Sequence, residues 1–157
     1  MPIGSPKAKG SAGELEAAKL LTSWAKDIGV SLDLSRNLEQ VRAGGADVNG
    51  VPNLEVEVKR QETLNVGAWW RQVCRASDKS GKVPLLMYRQ NRRPWFFKVR
   101  QVVAVYGIST GALYLDFTMD ETQAKKWFQY HVWLHTQGVD AAGNPARAEP
   151  HIPMKGR

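Results

Sequence analysis

Only one cysteine, Cys74, occurs among the 157 residues, which excludes an internal disulfide and a thiolate-built zinc site. No apolar run comes near the roughly 20 residues that a helix needs to cross a bilayer. The opening Met1-Pro2-Ile3-Gly4-Ser5-Pro6 lacks the apolar stretch of a secretory signal. Together these absences lead us to expect a protein of the reducing cytoplasm with no membrane partner. Acidic side chains are also in deficit, 15 Asp and Glu against 22 Lys and Arg, for a formal net charge of +7. With a pI near 9.7, that balance favours a polyanionic partner. Nucleic acid comes before lipid, because no basic amphipathic helix of the size lipid demands stands out. Apolar residues, at 43%, suffice for a core, and the length suits a single domain.

The pattern along the chain divides it in three. Residues 1–12, rich in Gly, Ser, Pro, Lys and Ala without periodicity, read as a flexible basic arm, and 138–157, rich in Ala, Gly and Pro, as a disordered tail. Between them, 13–137 form one domain. Ser11 and Glu14 have capping-box spacing, which predicts a helix running from Glu14 to about Asp27 and stopping near Gly29. Strand material is expected around Ser31–Asn37, and Ala46-Asp47-Val48 starts a further strand or its approach. Asn49-Gly50 is a turn signal. Leu54–Arg60 alternates, with Leu54, Val56 and Val58 on one face and Glu55, Glu57 and Lys59 on the other. Asn65 is placed to cap a helix over Val66–Lys79. Val83–Gln90 and Trp95–Arg100 read as a hairpin turning at Asn91-Arg92-Arg93-Pro94, and Val102–Tyr106 extends it or adds a strand. Leu113 to Thr118 alternates as a half-buried strand, and a second capping box, Thr118 to Glu121, opens a helix to about Gln137. The order α-β-β-α-β-β-β-α implies an α/β domain, a mixed sheet flanked by helices.

Charged residues seldom line one face of a strand without a reason. Glu57 and Lys59 emerge side by side, and Asp47 lies ten residues earlier, far enough for the chain to turn and return alongside. Two carboxylates meeting there can hold a hard cation such as Mg2+, leaving positions for water and phosphate. A neighbouring ammonium can orient the attacking water or stabilise charge in the transition state. Alone, the Glu-x-Lys triplet is also what a solvated strand face looks like. Glu14 adds weight, since Glu14, Ala18, Leu21, Ala25 and Ile28 share one helix stripe, putting a carboxylate in line with the inward face. The capping box explains Glu14 without chemistry, so both roles stay open. Glu16, on another stripe with Lys19, Ser23 and Lys26, reads as solvated.

These residues resemble the motif of the PD-(D/E)XK nuclease superfamily: Gly13-Glu14-Leu15-Glu16 on the first helix, Gly45-Ala46-Asp47, then Glu57-Val58-Lys59, with Gln72 in Trp69-Trp70-Arg71-Gln72-Val73 on the next helix. The nearest look is to the Holliday-junction-resolvase-like branch of small phage endonucleases. The resemblance spans about Lys9 to Arg100, and it departs from the pattern in lacking a proline before Asp47. It implies a restriction-endonuclease-like αβββαβ core, a divalent metal (Mg2+, with Mn2+ substituting), DNA as substrate and a homodimer. Asp47, Glu57 and Glu14 would be metal ligands, Lys59 the water-orienting or charge-stabilising residue, and Gln72 a further member of the catalytic group. Glu55 remains as a spare carboxylate on the same face as Glu57.

For gripping DNA, Arg71, Arg75 and Lys79 recur every four residues on the second helix, with Lys82 just beyond, and Arg92 and Arg93 sit at the hairpin tip. A solvated helix face and an ordinary exposed turn account for the same residues. Gln72 shares a stripe with Trp69, Val73 and Ala76 and is expected to point inward to a partner: Lys59, a water or, equally well, a backbone carbonyl. Trp69 and Trp70, being adjacent, are not expected both to face the core. His131 and His135, at i and i+4, have the spacing of a metal-binding pair but lack the glutamate of a metalloprotease helix, which disfavours that role, and Cys74 reads as a small core residue. The leading reading is a metal-dependent endonuclease acting on branched DNA. Its rivals are a non-catalytic DNA-binding protein on the same fold and a restriction- or repair-type nuclease acting on duplex.

Overall fold

The computed structural model describes residues 6–36, 47–103 and 113–136. In chain order the elements are α1 (Pro6–Lys26), β1 (Ser35–Arg36), β2 (Val48–Asn49), β3 (Leu54–Gln61), α2 (Val66–Ser80), β4 (Val83–Gln90), β5 (Phe96–Val103), β6 (Leu113–Met119) and α3 (Glu121–Thr136). Among the described residues the strands form one six-stranded sheet, ordered β1-β2-β3-β4-β5-β6. Neighbours pair antiparallel except β3 and β4, which are parallel and joined by the α2 crossover. Three strands therefore precede α2, as the αβββαβ core implied by the resemblance requires, although the element order read from the pattern counts two. The uncounted one is β2, the strand or approach expected from Ala46-Asp47-Val48, too short to alternate, which pairs Val48 with Val56.

Alternation on β3 and β4 sorts side chains into two cores. Val56, Val58, Leu85 and Met87 join Leu21 and Trp24 of α1 and Phe128 and Val132 of α3 in the larger core. On the opposite face, Leu86 and Tyr88 pack against Trp69, Trp70 and Val73 of α2. Trp24 holds the larger core together, its ring 5.3 Å from Phe97 and 6.0 Å from Phe128, contacts worth about 0.5–1.5 kcal/mol each beyond their burial.

Several helix boundaries depart from the capping pattern. The first helix begins at Pro6, so it takes in 6–12, which composition assigns to the arm, and Ser11 is not its cap. Pro6 suits a first helical position, where the missing N–H has no helical partner to lose. Glu14 is thus an interior helix residue, and the capping explanation for it falls away. Asn65 occupies the N-cap position of α2 without a side-chain hydrogen bond, and Gly81 ends that helix in the left-handed region, its N–H donating to the Ser77 carbonyl. Asp120, not Thr118, caps α3, since its Oδ1 accepts from the Gln123 N–H at 2.8 Å while Thr118 is still in β6. Of the expected Ser31–Asn37 strand, the described residues 31–36 are strand only at Ser35–Arg36, and Asn37 lies outside the described residues. Val102 and Val103 continue β5, while most of the Val102–Tyr106 segment and the 138–157 tail lie outside the described residues.

Two glycines matter for position. A Cβ on Gly13 would meet the Arg60 Cβ at 3.1 Å, so glycine there lets α1 approach β3 closely, next to Glu14. Gly50, with φ +95°, turns β2 into β3, and a side chain there would strike the Asp33 carbonyl oxygen.

Candidate active site

Residues at the end of β2, the middle of β3 and the first half of α2 converge on Glu57. Asp47 lies one residue before β2. Its backbone N–H still bonds the Val56 carbonyl at 2.7 Å, and its Oδ2 accepts the Val58 N–H at 2.6 Å. The side chain replaces a ladder partner where β2 stops short, which fixes this buried carboxylate against β3 beside Glu57. Glu57 itself is 3% exposed. Its Oε1 accepts from Lys59 Nζ at 2.6 Å and from the Gln72 amide at 2.7 Å. Burial raises the Glu57 carboxyl above its ordinary range; the Lys59 hydrogen bond and charge oppose this, while Glu55 and Glu14 add to it. Glu14 is half-buried on α1 and near enough for its charge to be felt at Glu57.

Sequence reasoning places Asp47, Glu57, Lys59, Gln72 and Glu14 in one site, and the fold brings the first four to adjacent positions. Gln72 reaches Glu57, not Lys59 or a backbone carbonyl, from a residue that is otherwise exposed. The Asp47–Glu57–Glu14 trio is not drawn into a ready-made cage: among the described residues no three Asp, Glu, His or Cys side chains cluster closely enough to hold an ion on their own. Glu57 is drawn instead to Lys59 and Gln72, both on Oε1. No described group donates to its Oε2. An oxygen-only donor set with that atom available suits a hard cation such as Mg2+, with water completing the shell.

A family model described as "Phage putative PDDEXK endonuclease" matches residues 5–142. The chain belongs to this family. Nucleases of the PDDEXK type generally use divalent metal ions. No curated protein matches the sequence. Among solved structures, the fold is similar to that of Hjc from Archaeoglobus fulgidus, described as a Holliday junction resolvase from an archaeal hyperthermophile. It shares 18% identity over 73% of this chain and 85% of that one, with a TM-score of 0.42.

In this member of the family the cations singled out for DNA are set apart from the paired ones. Arg60 and Arg89 bond Glu16, Arg100 bonds Asp116, and Lys125 pairs with Asp27. Arg71, Arg75, Lys79, Arg92 and Arg93 are exposed, with no carboxylate partner among the described residues. Arg71 and Arg75 flank Gln72 on α2. Arg92 and Arg93 lie on the β4–β5 turn, which Asn91 ties to the end of β3 and the residue after it: its Oδ1 accepts from Arg60 Nε at 3.0 Å, and its amide donates to Glu62. The hairpin tip thus borders the Lys59 end of β3, while α2 carries its cations back from that end toward the start of β4, which is in register with Leu54.

Some residues escape sequence reasoning. Glu16 is not merely solvated: it accepts from Arg89 at 2.6 Å, Arg60 at 3.4 Å and the Trp95 indole at 3.3 Å. Trp69 and Trp70 are both buried, at 7% exposed each. Trp70 reaches across to β6, donating to Asp116 at 2.9 Å with Lys98 over its ring, which allows two adjacent indoles to share one sheet face. The His131 and His135 ring centroids lie 4.4 Å apart. His131 bonds the Pro52 carbonyl at 2.8 Å, and burial, the largest cause, lowers its pKa to about 4. Cys74 is half-buried against the smaller core, and burial raises its thiol pKa.

Proposed function

We propose that the chain is a Mg2+-dependent DNA endonuclease, with Mn2+ as a substitute, that cuts branched or junction DNA as a homodimer in the host cytoplasm. The observation that carries this reading is the buried Glu57 carboxylate, held through one oxygen by Lys59 and Gln72 and flanked by Asp47. Asp47 and Glu57 would hold the divalent ion, with Glu14 as an added acidic group. A bound ion supplies positive charge to neutralise the scissile phosphate and acidify water. Lys59 orients the attacking water or stabilises charge developing on the phosphate. Gln72 holds Glu57 in its rotamer. Arg71, Arg75 and Lys79 grip phosphates along α2, and Arg92 and Arg93 reach them from the hairpin tip.

The dimer is favoured by β6, the last strand in the sheet order. Leu113, Leu115 and Phe117, 44%, 39% and 43% exposed, line one face of this edge. An exposed apolar edge strand is a template for pairing with another chain, and two-fold pairing sets two sites toward opposite strands of a branch. Incubation with supercoiled, linear and four-way-junction DNA, in Mg2+, Mn2+ or chelator, tests the reading. Preferential junction cutting that chelator abolishes is the expected result. Salt-sensitive binding without cutting in any metal would identify a non-catalytic binder, and cutting of plain duplex at one sequence a restriction-type enzyme.

A further inference from the structure

Glu55 is 4% exposed, almost as deeply buried as Glu57, on the same face of β3. Among the described residues its carboxylate accepts no hydrogen bond and forms no ion pair. The other two buried acids are provided for, Asp47 by the Val58 amide and Glu57 by Lys59 and Gln72. On β4, the residue in register with Glu55 is Pro84, whose side chain has nothing to donate. The neighbouring positions on this face, Leu86 and Tyr88, lie in the smaller core, so a leucine or valine would fit the strand's pattern better than a glutamate.

The oxygens of Glu55 are not sealed off: among the described residues the buried side-chain polar atom left without a partner is Arg89 Nε, so the Glu55 carboxylate keeps a path to water, from which a hydrated ion can reach it. Nothing in the described fold pairs Glu55, and its charge already acts on Glu57, raising that carboxyl. Two positions along a strand span about 6.6–6.8 Å, near enough for both side chains to address one hydrated cation. We propose that Glu55 is a further ligand of the cation site at Glu57, bound to the ion by its own oxygen or through one of the ion's waters. This rests on the divalent-metal reading above and extends it: the acidic floor of the site is Glu55-x-Glu57, with Lys59 closing its far end.

The test is calorimetric titration of Mn2+ into the full-length protein without DNA, on wild type, Glu55→Gln, Glu55→Asp and Glu57→Gln, with thermal melting of each in chelator. Glu55→Gln is expected to weaken Mn2+ binding about 10–100-fold, as the loss of a group that supports a metal does. Its melting temperature in chelator should equal or exceed that of wild type, because the repulsion between its charge and that of Glu57 has been removed. Glu55→Asp, which keeps the charge but draws it back by one methylene, should also bind more weakly. Mn2+ affinity of Glu55→Gln within about twofold of wild type, with Glu57→Gln impaired, overturns the role of Glu55 and leaves the nuclease reading intact. No Mn2+ uptake by the wild type overturns both. If Glu55→Gln does not fold, Glu55→Asp decides on the same criteria, and failure of both to fold in chelator overturns the proposal by making Glu55 a structural residue.

Discussion

Replacing Lys59 with methionine keeps the aliphatic stem and removes the ammonium 2.6 Å from Glu57 Oε1. The carboxylate is then left in its buried position with only the Gln72 amide. Breaking one side of a fully buried pair costs about 3–5 kcal/mol. The Lys59 side chain is 21% exposed, so water already screens part of the interaction, and Gln72 remains in place. A loss of about 2 kcal/mol at pH 8 is the resulting expectation, or roughly 4–8 °C in melting temperature for a chain of this size. The pH dependence identifies the cause. Burial raises the folded-state pKa of Glu57 above the unfolded value, so the folded protein binds more protons in the window between them and loses stability as pH rises through it. Removing Lys59 takes away the opposing influence and raises that pKa further. The difference between Lys59→Met and wild type should therefore be largest at pH 8 and shrink toward zero as pH falls to the ordinary carboxylate range. Comparing the two proteins at each pH in chelator, by chemical or thermal denaturation, cancels every other titration. A difference that is constant from pH 4 to pH 8, or absent, would refute the reasoning.

Three more outcomes follow from the same geometry. The double variant Arg71→Ala/Arg75→Ala should bind all DNAs more weakly and lower the slope of log affinity against log salt by about 0.9 for each phosphate no longer neutralised, with thermal stability nearly unchanged; an unaltered slope removes α2 from the interface. Leu115→Glu, on the exposed face of β6, should convert a dimer to a monomer by light scattering, and a variant that stays dimeric sends the interface elsewhere. His131, neutral in the fold with a pKa near 4 against 6.5 unfolded, should cost about 3 kcal/mol as pH falls from 6.5 to 4. His131→Gln should flatten that acid limb of the stability curve, and an unchanged limb would mean that the ring is not held neutral.

What can be read in the sequence is what repeats locally. The period-two alternation of Leu54–Lys59 locates the site strand and its faces, because both faces are packed and only one can carry charge. Glu57-x-Lys59 with Asp47 ten residues earlier points to the chemistry, since the reach of a short hairpin is fixed by chain geometry. Gln72 is legible as an inward polar residue but not as the partner of Glu57. The start of α1 is misread because Ser11 and Glu14 imitate a capping box inside a helix that begins at Pro6. Pairings between distant segments leave no local signature: Glu16 with Arg89 is separated by 73 positions, and Trp70 with Asp116 by 46. The burial of Glu55 is of this kind too. Alternation gives its face, but only the folded chain shows how far its side chain is covered.

The central claim is that Glu57 and Lys59 form the core of a metal-dependent nuclease site. Its most direct test is cleavage of four-way-junction DNA in Mg2+ by purified wild type, Glu57→Gln and Lys59→Met, with binding of the same DNA measured in Ca2+. We predict cutting by the wild type, cutting reduced about 100-fold or more in both variants, and binding kept within a few-fold in all three. Cutting by both variants at the wild-type rate would contradict the account.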